Sequence, residues 1–154
     1  MANIYRKKTL KLTIEQNNLQ NPNIELFIVN SAQTKTNDFY YYVIDCSILN
    51  KSRADDSIIS ASFIIQYKNK DSIIMNYKCE HMYNLKDSIG VNINDVAELP
   101  IRIEANGSCR YAFIFNIKKQ VFNECTFIDY FFDITSTSGQ KIHHNLSLIP
   151  FMEK

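Results

Sequence analysis

Residues 127–149, FIDYFFDITSTSGQKIHHNLSLI, decide how this chain is read. Ile128, Tyr130, Phe132 and Ile134 fall on even positions, and so do Ile142, Leu146 and Leu148 beyond a Ser-Gly turn signal. Alternation with a period of two places each set on one face of a β-strand. The spacing predicts a hairpin in which Ile134 faces Ile142, Phe132 faces His144, Tyr130 faces Leu146 and Ile128 faces Leu148. That pairing needs a three-residue loop, Thr137, Ser138 and Gly139. A two-residue loop would set the apolar face against Lys141, His143 and Asn145. A three-residue hairpin loop ends on a left-handed residue, and Gly139 stands there. Pattern and turn chemistry agree on a β-hairpin, which organises a fold but names no function.

The same period runs back through the chain. Leu10, Leu12 and Ile14 alternate in 9–15. Residues 24–30 are apolar on both parities, as in a short strand covered on both faces or an edge strand against a partner; 31–38 is polar and reads as a loop. In 39–50, Tyr42, Ile44, Cys46 and Ile48 form an inner set, with Asp45 and Ser47 outside. KSRADDS, 51–57, is a polar connection. Strands at 58–68 (Ile59, Ala61, Phe63, Ile65, Tyr67) and 73–81 (Ile73, Met75, Tyr77, Cys79, His81) form a second hairpin if a three-residue loop at 69–71 joins them. That loop faces Tyr67 with Ile73, Ile65 with Met75, Phe63 with Tyr77, Ala61 with Cys79 and Ile59 with His81. Residues 83–98 have no clean period and read as a long loop between sheets, with a short helix near 94–98 capped by Asn94. Ile101 and Ile103 point inward on a short strand. A bulged turn, Ala105, Asn106 and left-handed Gly107, then leads to an aromatic strand carrying Tyr111, Phe113, Phe115 and Ile117, with Ile101 facing Tyr111.

Strands with short turns and one crossover predict an all-β fold: a two-sheet antiparallel β-sandwich, with a closed barrel or jelly roll as the alternative. The strand after Leu99-Pro100, the Asn106-Gly107-Ser108 turn, the aromatic strand and the last hairpin together resemble small bacterial immunoglobulin-like modules. That resemblance implies a fold only. Trp is absent, and no cysteine follows two residues after a tyrosine on the late strand.

At 154 residues the chain is expected to be one domain with a core of its own. Seventeen Lys and Arg against sixteen Asp and Glu leave a net charge of +1, so broad electrostatic binding of nucleic acid is not expected. The basic start, MANIYRKKTLKLTIEQ, lacks the apolar core of a signal peptide, and no run of about 18 apolar residues exists for a membrane span. A cytoplasmic protein is expected, or a secreted one if a signal segment was removed. In the cytoplasm Cys46, Cys79, Cys109 and Cys125 are free thiols; in a secreted protein Cys46 and Cys79 could bridge the sheets.

Chemistry-bearing residues are few. Cys46, Cys79, His81 and His144 all point inward on strands and are the candidates for a zinc site or a thiol nucleophile. The plainer reading makes them core residues, since no close ligand pair or third catalytic group accompanies them. Asp55 and Asp56, with Asp38, Asp71 and Asp87 in other loops, suit calcium less well than they suit turns, because no DxDxD spacing is present. Phosphate-loop, GxSxG and HExxH motifs are absent. No cofactor is expected. Phe39, Tyr40, Tyr41 and Tyr42 are the most suggestive feature. Alternation keeps two of the four rings off the inner face, and with Tyr5, Phe27, Tyr83 or Phe131 they could form an exposed aromatic binding patch. The plainer reading covers both faces of that strand. The expected function is a non-catalytic protein-interaction or self-assembly module. The alternative is a carbohydrate- or small-ligand-binding sandwich, and a metal- or thiol-dependent enzyme comes third.

Overall fold

The structure is a computed structural model that describes residues 23–87, 95–147 and 149–150. The strand candidate at 9–15, and Leu148 with its pairing to Ile128, lie outside the described residues. Among the described residues nine strands follow in order: β1 (Ile24–Lys35), β2 (Phe39–Asn50), β3 (Asp56–Lys68), β4 (Ile74–Glu80), β5 (Ile101–Ile103), β6 (Ser108–Lys118), β7 (Thr126–Ser136), β8 (Lys141–Asn145) and β9 (Ile149–Pro150). Short 3₁₀ turns occupy Tyr83–Asp87 and Lys119–Phe122.

One sheet has the order β6-β2-β1-β9 and the other β4-β3-β7-β8, with β5 also paired to β3. Neighbours are antiparallel except β9, which runs parallel to β1. The two sheets do not close on each other, so this is a β-sandwich and not a barrel. The division of β1, β2 and β6 from β3, β4, β7 and β8 is that of an immunoglobulin-like arrangement.

The expected inner set of β2 is buried: Tyr42 at 1% exposure, and Ile44, Cys46 and Ile48 at none. It meets Ala61, Phe63 and Ile65 of β3, Phe113 and Phe115 of β6, and Phe132 and Ile134 of β7. Rings fill the centre. Tyr42 stacks on Phe63 at 4.4 Å, Phe63 on Phe115 at 5.5 Å, and Phe113 leans on Phe132 at 5.2 Å. Burying each such ring contributes about 1.5–3 kcal/mol, so the aromatic alternation in the sequence becomes the main cohesion between the sheets.

The last hairpin forms in the expected register, with Ile134 opposite Ile142 and Phe132 opposite His144. Ser136 donates its N–H to Gln140 O, enclosing Thr137, Ser138 and Gly139, and Gly139 has φ +91°. The strand at 39–50 also has the expected bounds.

Six expectations are corrected. The β3–β4 pairing is slipped by two residues: Tyr67 faces Met75, Ile65 faces Tyr77 and Phe63 faces Cys79. The cause is a longer loop, in which Asn69 Oδ1 accepts from the N–H groups of Asp71 and Ile73 and Ser72 turns left-handed. A slip of two keeps parity, so the faces survive. Ile59 is exposed and Ile58 is buried, because a bulge at 58–60 shifts the phase. Residues 31–35 continue β1 past a bulge at 28–30, where the sequence reads as loop. The short strand β5 pairs with β3 and not with β6, whose partner is β2. The left-handed residue of its turn is Asn106 (φ +57°); a Cβ on Gly107 would lie 2.9 Å from Glu104 O, so that glycine answers a close approach. Finally, 95–98 is not helical: Val96 forms a parallel bridge to Ala112, while Asn94 lies outside the described residues.

Candidate functional site

The aromatic run at Phe39, Tyr40, Tyr41 and Tyr42 is not the exposed patch the sequence suggests. Tyr42 lies in the main core and Tyr41 is 7% exposed in a second cluster with Val43, Val96, Ala112 and Ile114. Phe39 is half-buried against Tyr41, 6.0 Å away. Half-buried Tyr40 packs edge-on to Phe127 at 5.9 Å, with the Lys119 ammonium 5.6 Å from its ring. The core covers one face of this strand, and Val96 and its neighbours cover part of the other. Of the companion rings, Phe27 stands half-exposed on β1, and Phe131 stacks on His143 at 4.6 Å.

The four candidate metal or thiol residues do not assemble. Among the described residues no three His, Cys, Asp or Glu side chains come close enough to hold a metal ion. All four cysteines are free thiols, so the Cys46–Cys79 bridge is not made. Burial pushes the Cys46 thiol far up. Burial, and then the charge of Glu80, push the Cys79 thiol up to about 12, and its Sγ lies 3.5 Å from Phe63 O. Both therefore remain protonated, poor nucleophiles near neutrality. His144 places Nδ1 2.7 Å from Asn145 O. His81 accepts the Ile114 N–H at Nδ1 (2.9 Å) and reaches Ala97 O with Nε2 (2.5 Å). Burial lowers its pKa, so the ring is a neutral, satisfied histidine.

The loop carboxylates are likewise dispersed. Asp55 is held by Arg102 and the Ala105 N–H, and Asp56 by Ser57 and Ser138. Asp38 precedes β2, Asp71 lies in the β3–β4 loop and Asp87 in a 3₁₀ turn. A cleft of about 530 Å³ is lined by Asn37, Asp38, Phe39, Lys118, Lys119 and Gln120. A second, of about 350 Å³, lies between Asp55, Asp56, Ser57, Arg102, Thr137 and Ser138. Among the described residues Phe39 is the single aromatic in either lining, whereas a sugar or apolar ligand is held mainly by aromatic and apolar side chains.

One sheet edge stands out. Among the described residues β4 pairs only with β3, and Ile73, Ile74 and Met75 at its start are 56%, 58% and 43% exposed. Ile128, 43% exposed, lies two strands away at the same end of the sheet. Further along β4 only Lys78 and Glu80 carry charge, and their contact is 3.9 Å. Edge strands are normally blunted by charge, proline, bulges or a covering segment. Two other edges follow that rule: β6 is covered by Val96 and by Met82, whose N–H donates to Ile114 O, while β8 is short and carries Lys141 and His143. On the β1 side, where Phe27 and Val29 are 50% and 48% exposed, the described residues give cover only at Ala32 and Gln33, which pair with β9. Sequence reasoning assigned Ile73 and Met75 inward and missed the edge. The signal was present in Ile73-Ile74-Met75, apolar on both parities where one buried face needs only one.

No family model matches the chain, and no curated protein sequence matches it. Solved structures similar in shape include three at low identity. One is a Bordetella pertussis protein described as ApaA, at 6% identity over 83% of this chain and 91% of that one, with a TM-score of 0.38. Another is a structural-genomics target, at 10% identity over 82% and 81%, with a TM-score of 0.36. The third is a β-glucuronidase of glycoside hydrolase family 2, at 7% identity over 81% of this chain and 11% of that one, with a TM-score of 0.34. Identities this low transfer no activity to this chain. Among the described residues no helix is long and apolar enough to cross a membrane.

Proposed function

We propose that this chain is a non-catalytic protein-interaction module that binds an extended strand of a partner protein along β4. The observation that carries the reading is the apolar start of that edge, Ile73, Ile74 and Met75, with no strand beyond it among the described residues. Strand addition draws affinity from main-chain hydrogen bonds and specificity from alternate side chains, and this edge offers both. The scattered cysteines, histidines and carboxylates support a non-catalytic role. The test compares wild type with Ile74→Lys and Met75→Lys in affinity capture from host extract, with light scattering on each purified protein. Both side chains are already solvated, so folding should persist while a stoichiometric partner, or a homo-oligomer, is lost. Equal capture and equal mass for all three proteins would sink the proposal.

A second reading, carbohydrate binding, draws on the outer face of β7 and β8. The stacked Phe131 and His143 rings lie there beside Asp133, and Asn145 donates to Asp129. Glycan-array binding that Phe131→Ala abolishes would establish it in place of the first.

A further inference from the structure

The edge of β6 is closed by a short strap and one histidine. Ala97 N–H donates to Ala112 O (2.8 Å), and Ala112 N–H to Asp95 O (3.0 Å). Below that bridge His81, just past the end of β4, reaches between the sheets. Its Nδ1 accepts the Ile114 N–H, which requires a lone pair there and places the ring proton on Nε2, aimed at Ala97 O. One neutral ring therefore binds both the edge strand and the strap that covers it. We propose that His81 is an acid-released latch: neutral, it ties the strap 95–97 to β6, and a proton on Nδ1 breaks that tie and opens the edge.

The chemistry of the site drives the release. A proton on Nδ1 meets the Ile114 N–H, donor against donor. Among the described residues the one acceptor near Nδ1 is Ile114 O, 3.2 Å away, and it already accepts from Met82 N–H. Turning to it gives up the Ile114 N–H. Among the described residues no ion pair or hydrogen bond joins the ring to an Arg, Lys, Asp or Glu side chain. From β6 the ring faces Phe113 and Phe115, at 5.2 and 6.0 Å, while the main-chain N–H of His81 donates to Ala61 O of β3. The titratable groups nearest along the chain are Cys79 and Glu80 before His81, Tyr83 after it, and Asp95 and Glu98 flanking the strap. Further off, β4 carries Tyr77 and Lys78, the 3₁₀ turn Lys86 and Asp87, and β6 Cys109, Arg110, Tyr111 and Lys118. Glu80 is drawn to the outer face by Ser62 and Lys78, and Asp95 and Glu98 are exposed. Burial favours the neutral ring, so its folded pKa lies below the unfolded value. The latch is thus intact above the unfolded value of about 6.5 and is lost as pH falls through the lower folded one. Release would uncover Ala112 and Ile114, which are 4% and 0% exposed, and the edge beside them.

Amide exchange by NMR on the full chain between pH 7.5 and 4.5, read with the His81 imidazole shifts, tests this. Protection at Ala97, Ala112 and Ile114 should fall about tenfold per pH unit inside the window where His81 titrates. Protection at central amides such as Ile65 and Phe132 should hold. His81→Gln, which can accept and donate without titrating, should flatten the pH dependence. Titration of His81 at or above the free-histidine value overturns the latch. So does pH-independent protection of the strap, or a loss shared equally by the core. If the variant does not fold, exchange in the wild-type protein decides alone.

Discussion

Asn50 closes the end of β2, and its truncation should cost more than that of any surface polar residue. The side chain is 1% exposed and uses its full hydrogen-bonding capacity. Nδ2 donates to Ala54 O (2.9 Å) and to Ile103 O (3.1 Å), and Oδ1 accepts from the N–H (3.1 Å) and hydroxyl (2.7 Å) of Ser52. Ile103 belongs to β5 in the opposite sheet, so this amide joins the sheets and moulds the 51–55 loop. In Asn50→Ala the Ser52 hydroxyl, freed from Oδ1, can turn its one proton to Ala54 O (2.8 Å), but Ser52 N–H and Ile103 O each lose a bond. A buried group left unpaired costs about 1–3 kcal/mol. Two such losses and a small cavity place the destabilisation near 3 kcal/mol, or about 10 °C in Tm for a domain of this size. Urea unfolding should show a lower midpoint at unchanged m. Asn50→Asp adds a sign test. At neutral pH its carboxylate faces two carbonyl oxygens, so it should destabilise at least as much as alanine, and the penalty should shrink as acid protonates it and restores one donor. A loss below about 1 kcal/mol for Asn50→Ala would refute the cross-sheet role.

The two turn glycines should respond to asparagine to different degrees, because one answers conformation and the other space. Asn tolerates the left-handed backbone, so Gly139→Asn, with nothing within 4 Å of its Cβ, should cost under about 1 kcal/mol. Gly107→Asn forces a Cβ against Glu104 O and should cost more, read as the difference in urea midpoint; equal costs would contradict the geometry. Alkylation followed by mass spectrometry should leave Cys46 unlabelled in the native protein and label Cys79 slowly, because burial raises both thiols. Native labelling of Cys46 at the unfolded rate would contradict its place in the core. Arg110→Ala, which removes two hydrogen bonds from Asp45 at an exposed site, should change stability by no more than about 1 kcal/mol, less in high salt. A larger loss in thermal melts would mean that the pair is not the surface contact it is taken to be.

Parity was legible in the sequence and partners were not, and the particular errors show why. The β7–β8 hairpin could be read to the residue because its turn admits one loop length: Gly139 supplies the left-handed position, and Ile134, Phe132 and His144 then fall into line. At 69–73 the decision rests on a side chain, Asn69, that caps two backbone N–H groups. Either loop length keeps Tyr67, Tyr77 and Cys79 on the same face, so alternation cannot tell them apart. Bulges defeat alternation outright, as at Ile59 and at Val29. The pairing of β5 with β3 is a long-range choice: the Asn106-Gly107 turn reads as a local hairpin, yet it carries the chain from one sheet to the other. The burial of Tyr41 depends on Val96, a residue far along the chain in a stretch without period. His81 as a satisfied core histidine was legible as the plainer reading; its partners Ile114 and Ala97 were not, since both are main-chain atoms of other elements.

The edges distinguish this sandwich from a generic one. A segment that covers a strand edge must be ordered there at a cost of about 1–2 kcal/mol per residue in backbone entropy, so cover is maintained where exposure would be harmful. Here β6 receives it twice, from the Val96 bridge and from Met82 with the His81 latch, although the strand beneath is short of charge and apolar throughout 112–115. In contrast β4 starts with two solvated apolar side chains, Ile74 and Met75, preceded by a third, Ile73, and pairs among the described residues only with β3. A chain that protects one apolar edge so closely, and leaves a second open with Ile73, Ile74 and Met75 on it, fits an open edge that is kept for a partner. If so, Lys at 74 or 75 should cost binding and leave stability alone, whereas a change that loosens the β6 cover should cost stability and promote aggregation. A variant at β4 that gains stability and loses no partner would reverse that assignment of roles.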